Sequence, residues 1–399
     1  VQWLGKIPGH WGCLKLGRLV SKVGSGSTPT GGAENYVSTG INFIRSQNVY
    51  FEGMKMEDVA HITSEIDVKM KGTQVHEGDV LLNITGGSIG RCYCAEKSIL
   101  PANVNQHVCI IRPTFINNWF LKYYLQSNSG QTQVSLLQKG DREGLSAESI
   151  KTFKVTLPPL SEQTLIVSYL DEKCEKLDKL VEAKEKKIEL LGEMKQRVIS
   201  NAVTRGINPN VNLKETNIPW LPQVPQHWEV KPLRSIFRES SDKTDTGKEE
   251  LLSLSQYTGI SYKHDAGKTG MFEAESTIGY KKVHKGQFVM NIMLAWNGSY
   301  AVSDLDGIIS PAYCVFDFIA DCSKQYYNFL LRLPSYADAF KTESRGIIDS
   351  RLRLYPNKFL PFPTLCPPKE EQNQIAEFIS SRVEKIDTLV GKLREEIEH

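Results

Sequence analysis

A chain of 399 residues is too long for one ordinary domain and suits two or three. Charged residues make up 24% and apolar residues 40%, an ordinary globular composition that excludes a largely disordered chain, and a net charge of +2 announces no polyanionic partner. Counted by segment, residues 1–156 carry 16 Lys/Arg against 12 Asp/Glu and residues 204–364 carry 19 against 17, whereas 157–203 and 365–399 sum to −1 and −3. The small positive excess therefore sits in the globular parts, which is compatible with contact to DNA. No stretch is long and apolar enough to predict a membrane span, and no basic segment followed by an apolar core predicts a leader. The eight cysteines (13, 92, 94, 109, 174, 314, 322 and 366) show no disulfide-scaffold rhythm, so a reducing, cytoplasmic setting is the expectation.

In chain order, the first signal is Trp3-Leu4, Pro8 and His10-Trp11, which returns as Trp220-Leu221, Pro225 and His227-Trp228. Short β-branched runs follow: Val80–Ile84, His107–Ile111 and Phe153–Leu157, then Phe288–Ile292 and Ala312–Phe316 in the second half. Gly78–Ile84 is matched by Gly286–Ile292, and Pro158-Pro159 with Glu162-Gln163 by Pro367-Pro368 with Glu371-Gln372. The chain is thus a repeat with a period near 210 residues, too long for a solenoid.

After each Pro-Pro pair the apolar positions step by four and three. The first ladder is Leu170, Cys174, Leu177, Val181, Ile188, Leu191 and Val198, interrupted by Lys184 and Lys195. The second is Ile379, Val383, Ile386, Val390, Leu393 and Ile397, without interruption. That spacing predicts two long helices pairing antiparallel in a coiled coil, rather than helices lying on a sheet. The expected architecture is α+β: two similar domains with mixed β-sheets, separated by the helices, in a pseudo-two-fold repeat. Expected boundaries are 1–156, a helix over 157–203, a linker over 204–219, a second domain over 220–364 and a distal helix over 365–399.

Catalytic signatures are missing. No Gly-x-x-x-x-Gly-Lys-Ser/Thr loop is present, and the Gly-rich runs at 24–28 and 86–90 lack the lysine. The Pro-Pro pairs follow Leu157 and Cys366, so neither has the Asn/Asp-Pro-Pro-aromatic form that orients a target amine for methylation. Cys92, Cys94, His107 and Cys109 are the one conceivable metal group. A Cys-x-Cys pair on a strand gives a poor bite, so buried thiols are expected and no metal.

Together these motifs resemble the specificity subunit of type I restriction–modification systems. The opening pattern Trp3–Trp11, repeated as Trp220–Trp228, and the closing pattern at 157–163, repeated as Pro367–Gln372, are typical of that family and cover essentially the whole chain. The resemblance implies two target-recognition domains, each reading half of a split sequence in double-stranded DNA. It implies helices that set the gap and dock two methyltransferase subunits, with restriction subunits attached through these. S-adenosylmethionine, ATP and the nuclease would belong to the partners, so no cofactor and no catalysis are expected of this chain. The second helix stops about ten residues short of its counterpart, which leaves the far end of this ruler open. A protein-interaction scaffold without DNA affinity, and the detached specificity region of a single-chain restriction–modification enzyme, stay open as alternatives.

Bases are read by Arg, Lys, Asn, Gln, Ser and Thr presented from loops. Aligning the repeats pairs Ser46, Gln47 and Asn48 with Ser255, Gln256 and Tyr257; the two glutamines suit adenine. Thr85, Ser88 and Arg91 pair with Asn297 and Ser299, and Lys139 and Arg142 with Arg345 and Arg351. Asn105 and Gln106 form a further loop. His10, His227 and the repeated tryptophans are expected to pack or hydrogen-bond.

Overall fold

Runs that are apolar at every position suit strands covered on both faces, and two such runs sit inside the two main sheets. The computed structural model describes residues 5–138, 144–256, 258–265, 276–346 and 352–398, in two units, Val1–Lys179 and Leu180–His399.

In the first unit Val80–Asn83, wholly buried, is an inner strand of a four-stranded antiparallel sheet ordered Val20–Ser25, Val108–Pro113, Val80–Asn83, Cys92–Cys94. The strand period of two splits its side chains. Val80 and Leu82 join Ile111, Leu121 and Leu125 against the helices Asn118–Gln126 and Asn128–Leu137. Leu81 and Ile110 turn the other way, onto Ile44 and Val104. Ile44 and Val104 belong to a three-stranded mixed sheet, in which Ile41–Ile44 runs antiparallel to Ala60–Ile62 and parallel to Ala102–Val104. Strands Gly12–Lys15 and Lys154–Leu157 close the unit as an antiparallel pair. Each fully buried Leu or Ile of this core stabilises the fold by roughly 1.5–3 kcal/mol.

The second unit repeats the plan. Its four-stranded antiparallel sheet is ordered Phe237–Glu239, Tyr313–Phe318, Phe288–Asn291, Tyr300–Val302. Phe288, Met290 and Phe316 face the helices Lys324–Leu331 and Pro334–Glu343, while Val289 and Val315 face Leu252 and Leu254. Strands Glu229–Pro232 and Pro363–Cys366 form the closing pair. The stretch read as a linker carries a strand, Leu213–Glu215, which pairs antiparallel with Gln223–Pro225.

The long helices span Leu160–Arg205 and Lys369–Glu398. From Leu180 onward the first lies in the second unit, antiparallel to Lys369–Glu398. Ile379, Ile386 and Leu393 of the expected ladder are buried there. The two lysines that interrupt the first ladder are ion-paired across the seam. Lys195 Nζ lies 2.7 Å from Asp387 Oδ1, and Lys184 Nζ lies 3.1 Å from Glu396 Oε2. A cation on the seam thus fixes one register, as polar residues do in coiled coils. The first helix ends at Gly206, whose φ of +79° is open to glycine and strained for other residues. A Cβ there would also lie 3.2 Å from Glu371 Oε1.

Candidate nucleic-acid interface

In the first unit, three of the four expected loops are tied together where the inner strand Val80–Asn83 ends. Ser46–Asn48 forms a single 3-10 turn, and the buried Asn83 donates from Nδ2 to the Ser46 carbonyl at 2.7 Å. Its backbone N–H meets the Arg91 carbonyl at 2.8 Å, so one residue binds the 46–48 and 85–91 loops. The third loop joins through His107, whose Nδ1 lies 2.6 Å from Thr85 Oγ1 and whose Nε2 lies 3.2 Å from Gln106 Nε2. Thr28 hydrogen-bonds Gln106 in turn. Just beyond the fourth loop, Leu145 N–H donates to the Ile84 carbonyl at 2.8 Å. Lys139 and Arg142 themselves lie outside the described residues.

Not every candidate faces outward. Gln47 and Gln106 are exposed, and Ser46, Thr85, Ser88 and Arg91 are half-buried. Asn48 is buried and spends its amide internally, accepting from Arg45 N–H at 3.0 Å and donating to the Lys55 carbonyl at 2.8 Å. Asn105 is buried too, its Oδ1 accepting from His107 N–H at 3.1 Å in an Asx turn. Both shape loops rather than present an edge. Arg91 instead stacks its guanidinium 4.7 Å from the Tyr50 ring centroid, where Lys55 also sits at 4.1 Å.

The second unit uses the same attachment points. Asn291 N–H donates to the Ser299 carbonyl at 2.9 Å, and Leu354 N–H to the Ile292 carbonyl at 2.9 Å. Asn297 is exposed in a 3-10 turn over Ala295–Asn297, and Arg345 is exposed on a short bridge to Arg353. Ser255 and Gln256 are half-buried, while Ser299, 2% exposed, is inside. Tyr257 and Arg351 lie outside the described residues. Lys341 Nζ stands 5.0 Å from the Trp296 ring, and Arg332 Nη2 donates to the Gln256 carbonyl at 2.6 Å. Sequence reading passed over Thr28, Tyr50, Lys55 and Arg332 and weighed His107 only as a metal ligand. Arg332 is legible only once the helices are aligned through their anchoring glutamines.

Those glutamines are the repeated motif residues. Gln163 accepts from Asn117 N–H and donates to the Pro158 carbonyl; Gln372 does the same with Ser323 and Pro367. Beside them, Glu162 holds His10 at 3.0 Å and Trp11 Nε1 at 3.1 Å, and Glu371 holds His227 at 2.8 Å and Trp228 Nε1 at 3.0 Å. The opening and closing motifs of each unit are therefore two halves of one latch. Trp3 lies outside the described residues. Cys92, Cys94 and Cys109 are buried free thiols, pushed up to about 12 by burial, and so neutral near pH 7. Among the described residues no three His, Cys, Asp or Glu side chains gather as a metal site, and both His107 nitrogens face Thr85 and Gln106.

This is the layout of a protein that presents polar loops from a rigid sheet, and comparison with known proteins agrees. The family described as "Type I restriction modification DNA specificity domain" matches residues 8–190. The putative type I restriction enzyme MjaX specificity subunit of Methanocaldococcus jannaschii is 24% identical over 245 residues, 58% of this chain and 53% of that protein. The MjaVIII specificity subunit of the same organism is 24% identical over 45% of this chain and 40% of its own length. The chain thus spans about half the length of these archaeal relatives. The EcoDI specificity subunit of Escherichia coli is 23% identical, over 96% of this chain and 84% of that one. Two solved structures share the fold. A chain from work on complex assembly and conformational transition of the type I R-M system has a TM-score of 0.70 at 14% identity, covering 98% of this chain and 95% of its own. The HsdS subunit from Thermoanaerobacter tengcongensis has a TM-score of 0.59 at 15% identity, covering 98% and 93%. In sequence the chain is similar to specificity subunits of type I restriction enzymes, and over residues 8–190 it matches their DNA specificity domain.

Proposed function

We propose that this chain is a non-catalytic, cytoplasmic specificity subunit that reads a bipartite sequence in double-stranded DNA. The domain over 1–156 reads one half and that over 220–364 the other. The helices over 157–203 and 365–399 set the gap and dock two methyltransferase subunits, through which restriction subunits attach. The observation that carries this reading is the repeated convergence of polar loops at the end of an inner strand, Asn83-Ile84 in one unit and Asn291-Ile292 in the other. Rigid strands carrying adaptable loop tips suit base recognition, because phosphate contacts position a protein while loop side chains read base edges. Exposed apolar residues on the first long helix, among them Leu165, Tyr169, Leu190 and Met194, are in keeping with a partner that covers them. Among the described residues no helix is long and apolar enough to cross a membrane.

Methylation-site mapping of the assembled complex, before and after substitution, tests the reading. Gln47→Ala should relax one half of the selected motif and Gln256→Ala the other, each by roughly 1–3 kcal/mol of discrimination. An equal loss of affinity for every sequence would place these residues on phosphates instead. Absence of any salt-dependent duplex binding would leave a scaffold.

A further inference from the structure

At the end of the helix that covers each sheet stands a side chain that bonds the chain at or just beyond the candidate Ser-Gln turn, Arg332 at Gln256 itself and Gln126 at Phe51, four residues past Gln47. The anchoring bonds Gln163–Asn117 and Gln372–Ser323 align these helices residue by residue, so Gln126 and Arg332 are equivalent. Gln126 Nε2 donates to the Phe51 carbonyl at 2.8 Å and to Cys92 at 3.1 Å. Arg332 Nη2 donates to the Gln256 carbonyl at 2.6 Å. A neutral amide performs the holding task in one unit, so that task by itself does not require a charge.

Arg332 nevertheless brings one. It is half-buried and has no carboxylate partner among the described residues; burial pulls its pKa down, with Tyr300 acting in the other direction. A guanidinium without a counter-ion costs stability wherever water is restricted. The first unit places its cation differently. There Arg91, on the 85–91 loop, lies on Tyr50 beside the Ser46–Asn48 turn, and its equivalent in the second unit is the buried Ser299. Each unit thus sets one arginine against its Ser-Gln loop, from Arg91 in one and Arg332 in the other, and has a neutral residue at the position the other uses.

We propose that Arg332 is a DNA-backbone contact: one N–H fixes the Gln256 loop while the remaining donors meet a phosphate of the half-site read by the second unit. The inference rests on the DNA-reading function and gives the second unit the counterpart of Arg91. Five donors in a planar, charged fork allow one group to hold a carbonyl and still offer donors and a full charge to a phosphate, whereas the Gln126 amide is neutral and spends its two donors on carbonyls.

The test is the salt dependence of affinity for random-sequence duplex DNA, measured with the full chain in complex with its methyltransferase subunits. The variants are Arg332→Gln, which installs the first unit's own residue, Arg332→Lys, and the reciprocal Gln126→Arg. Loss of one phosphate contact lowers the slope of log affinity against log salt by about 0.9. Arg332→Gln should show that loss with its fold intact by circular dichroism, and Arg332→Lys should retain the slope. Gln126→Arg should raise it. An unchanged slope in a folded Arg332→Gln protein, while the unsubstituted complex keeps its own salt dependence, would overturn the proposal and leave Arg332 a loop brace. A flat salt response in the unsubstituted complex would instead overturn the DNA-reading function on which it rests.

Discussion

The two units place the same hydrogen bonds around different side chains. Turns His76–Asp79 and His284–Gln287 close identically, His76 N–H on Asp79 Oδ2 at 2.7 Å and His284 N–H on Gln287 Oε1 at 2.6 Å. Across the sheet the chemistry is exchanged. The buried Asp79 takes both Nε and Nη2 of Arg112 at 2.8 Å, whereas Gln287 donates to Asp317 at 2.8 Å. The turn requires only an oxygen at that position; the neighbouring strand then supplies whatever complements the remaining atoms. The cores differ in the same manner. Val80 and Ile111 of the first unit stand where Phe288 and Phe316 stand in the second, within an aromatic cluster that includes Phe237, Phe359 and Tyr327. A shared frame therefore tolerates both a change of charge arrangement and a change of core volume, provided that neighbours change together.

Three experiments sharpen that comparison. The largest effect is expected in the cores. Phe288→Ala removes a ring lying 5.0 Å from Phe237 and 5.9 Å from Phe359, and should cost about 3–5 kcal/mol. Val80→Ala, at the equivalent position, should cost about 2 kcal/mol. Urea unfolding followed by tryptophan fluorescence measures both, and equal costs would deny the aromatic cluster any special weight. Next comes the exchanged pair. Asp79→Ala leaves Arg112, about one-quarter exposed, without its counter-charge and should cost about 3 kcal/mol. Asp317→Ala deprives the Gln287 amide of its acceptor and removes only a loose 3.9 Å ion pair with the exposed Arg238, at about 1 kcal/mol. Thermal denaturation that ranked Asp317 above Asp79 would contradict the assignment.

The smallest difference concerns the latches. Trp228 is fully buried and Trp11 only partly, so stranding the indole N–H by Glu371→Ala should cost about 1–3 kcal/mol. Glu162→Ala, where water can replace the lost acceptor, should cost less than about 1 kcal/mol. Chemical denaturation with near-ultraviolet dichroism as the probe separates the two, and an equal loss would show that tryptophan burial does not set the strength of the latch.

Much of this frame is legible in the residues because it depends on local pattern. Val80–Asn83 and Phe288–Asn291 are strands within a residue of the expected runs. The Pro-Pro-x-x-x-Gln spacing lets a glutamine at the start of a helix reach back to the proline carbonyl, so Gln163 and Gln372 recur. The loops were legible as loops, but which residues point outward was not. Asn48, Asn105 and Ser299 have the composition of readers and are buried; the two asparagines are turned inward because short polar side chains bond to nearby backbone as readily as to a ligand.

What the sequence determined by itself is the repeat, the strand runs, the two long helices and their seam from Val181 onward, whereas Cys174 and Leu177 of the expected ladder are exposed; each follows from periodicity and from turn and helix-start chemistry over a few residues. What only tertiary structure decided is which distant groups meet. Lys184 and Lys195 look like faults in the seam until Glu396 and Asp387 arrive opposite them from the last helix. His107 joins Thr85 to Gln106, and Arg332 reaches Gln256 across 76 residues of chain. Such pairings depend on how sheets and helices stack, and a polar side chain takes its role from the partner that packing brings within about 3 Å.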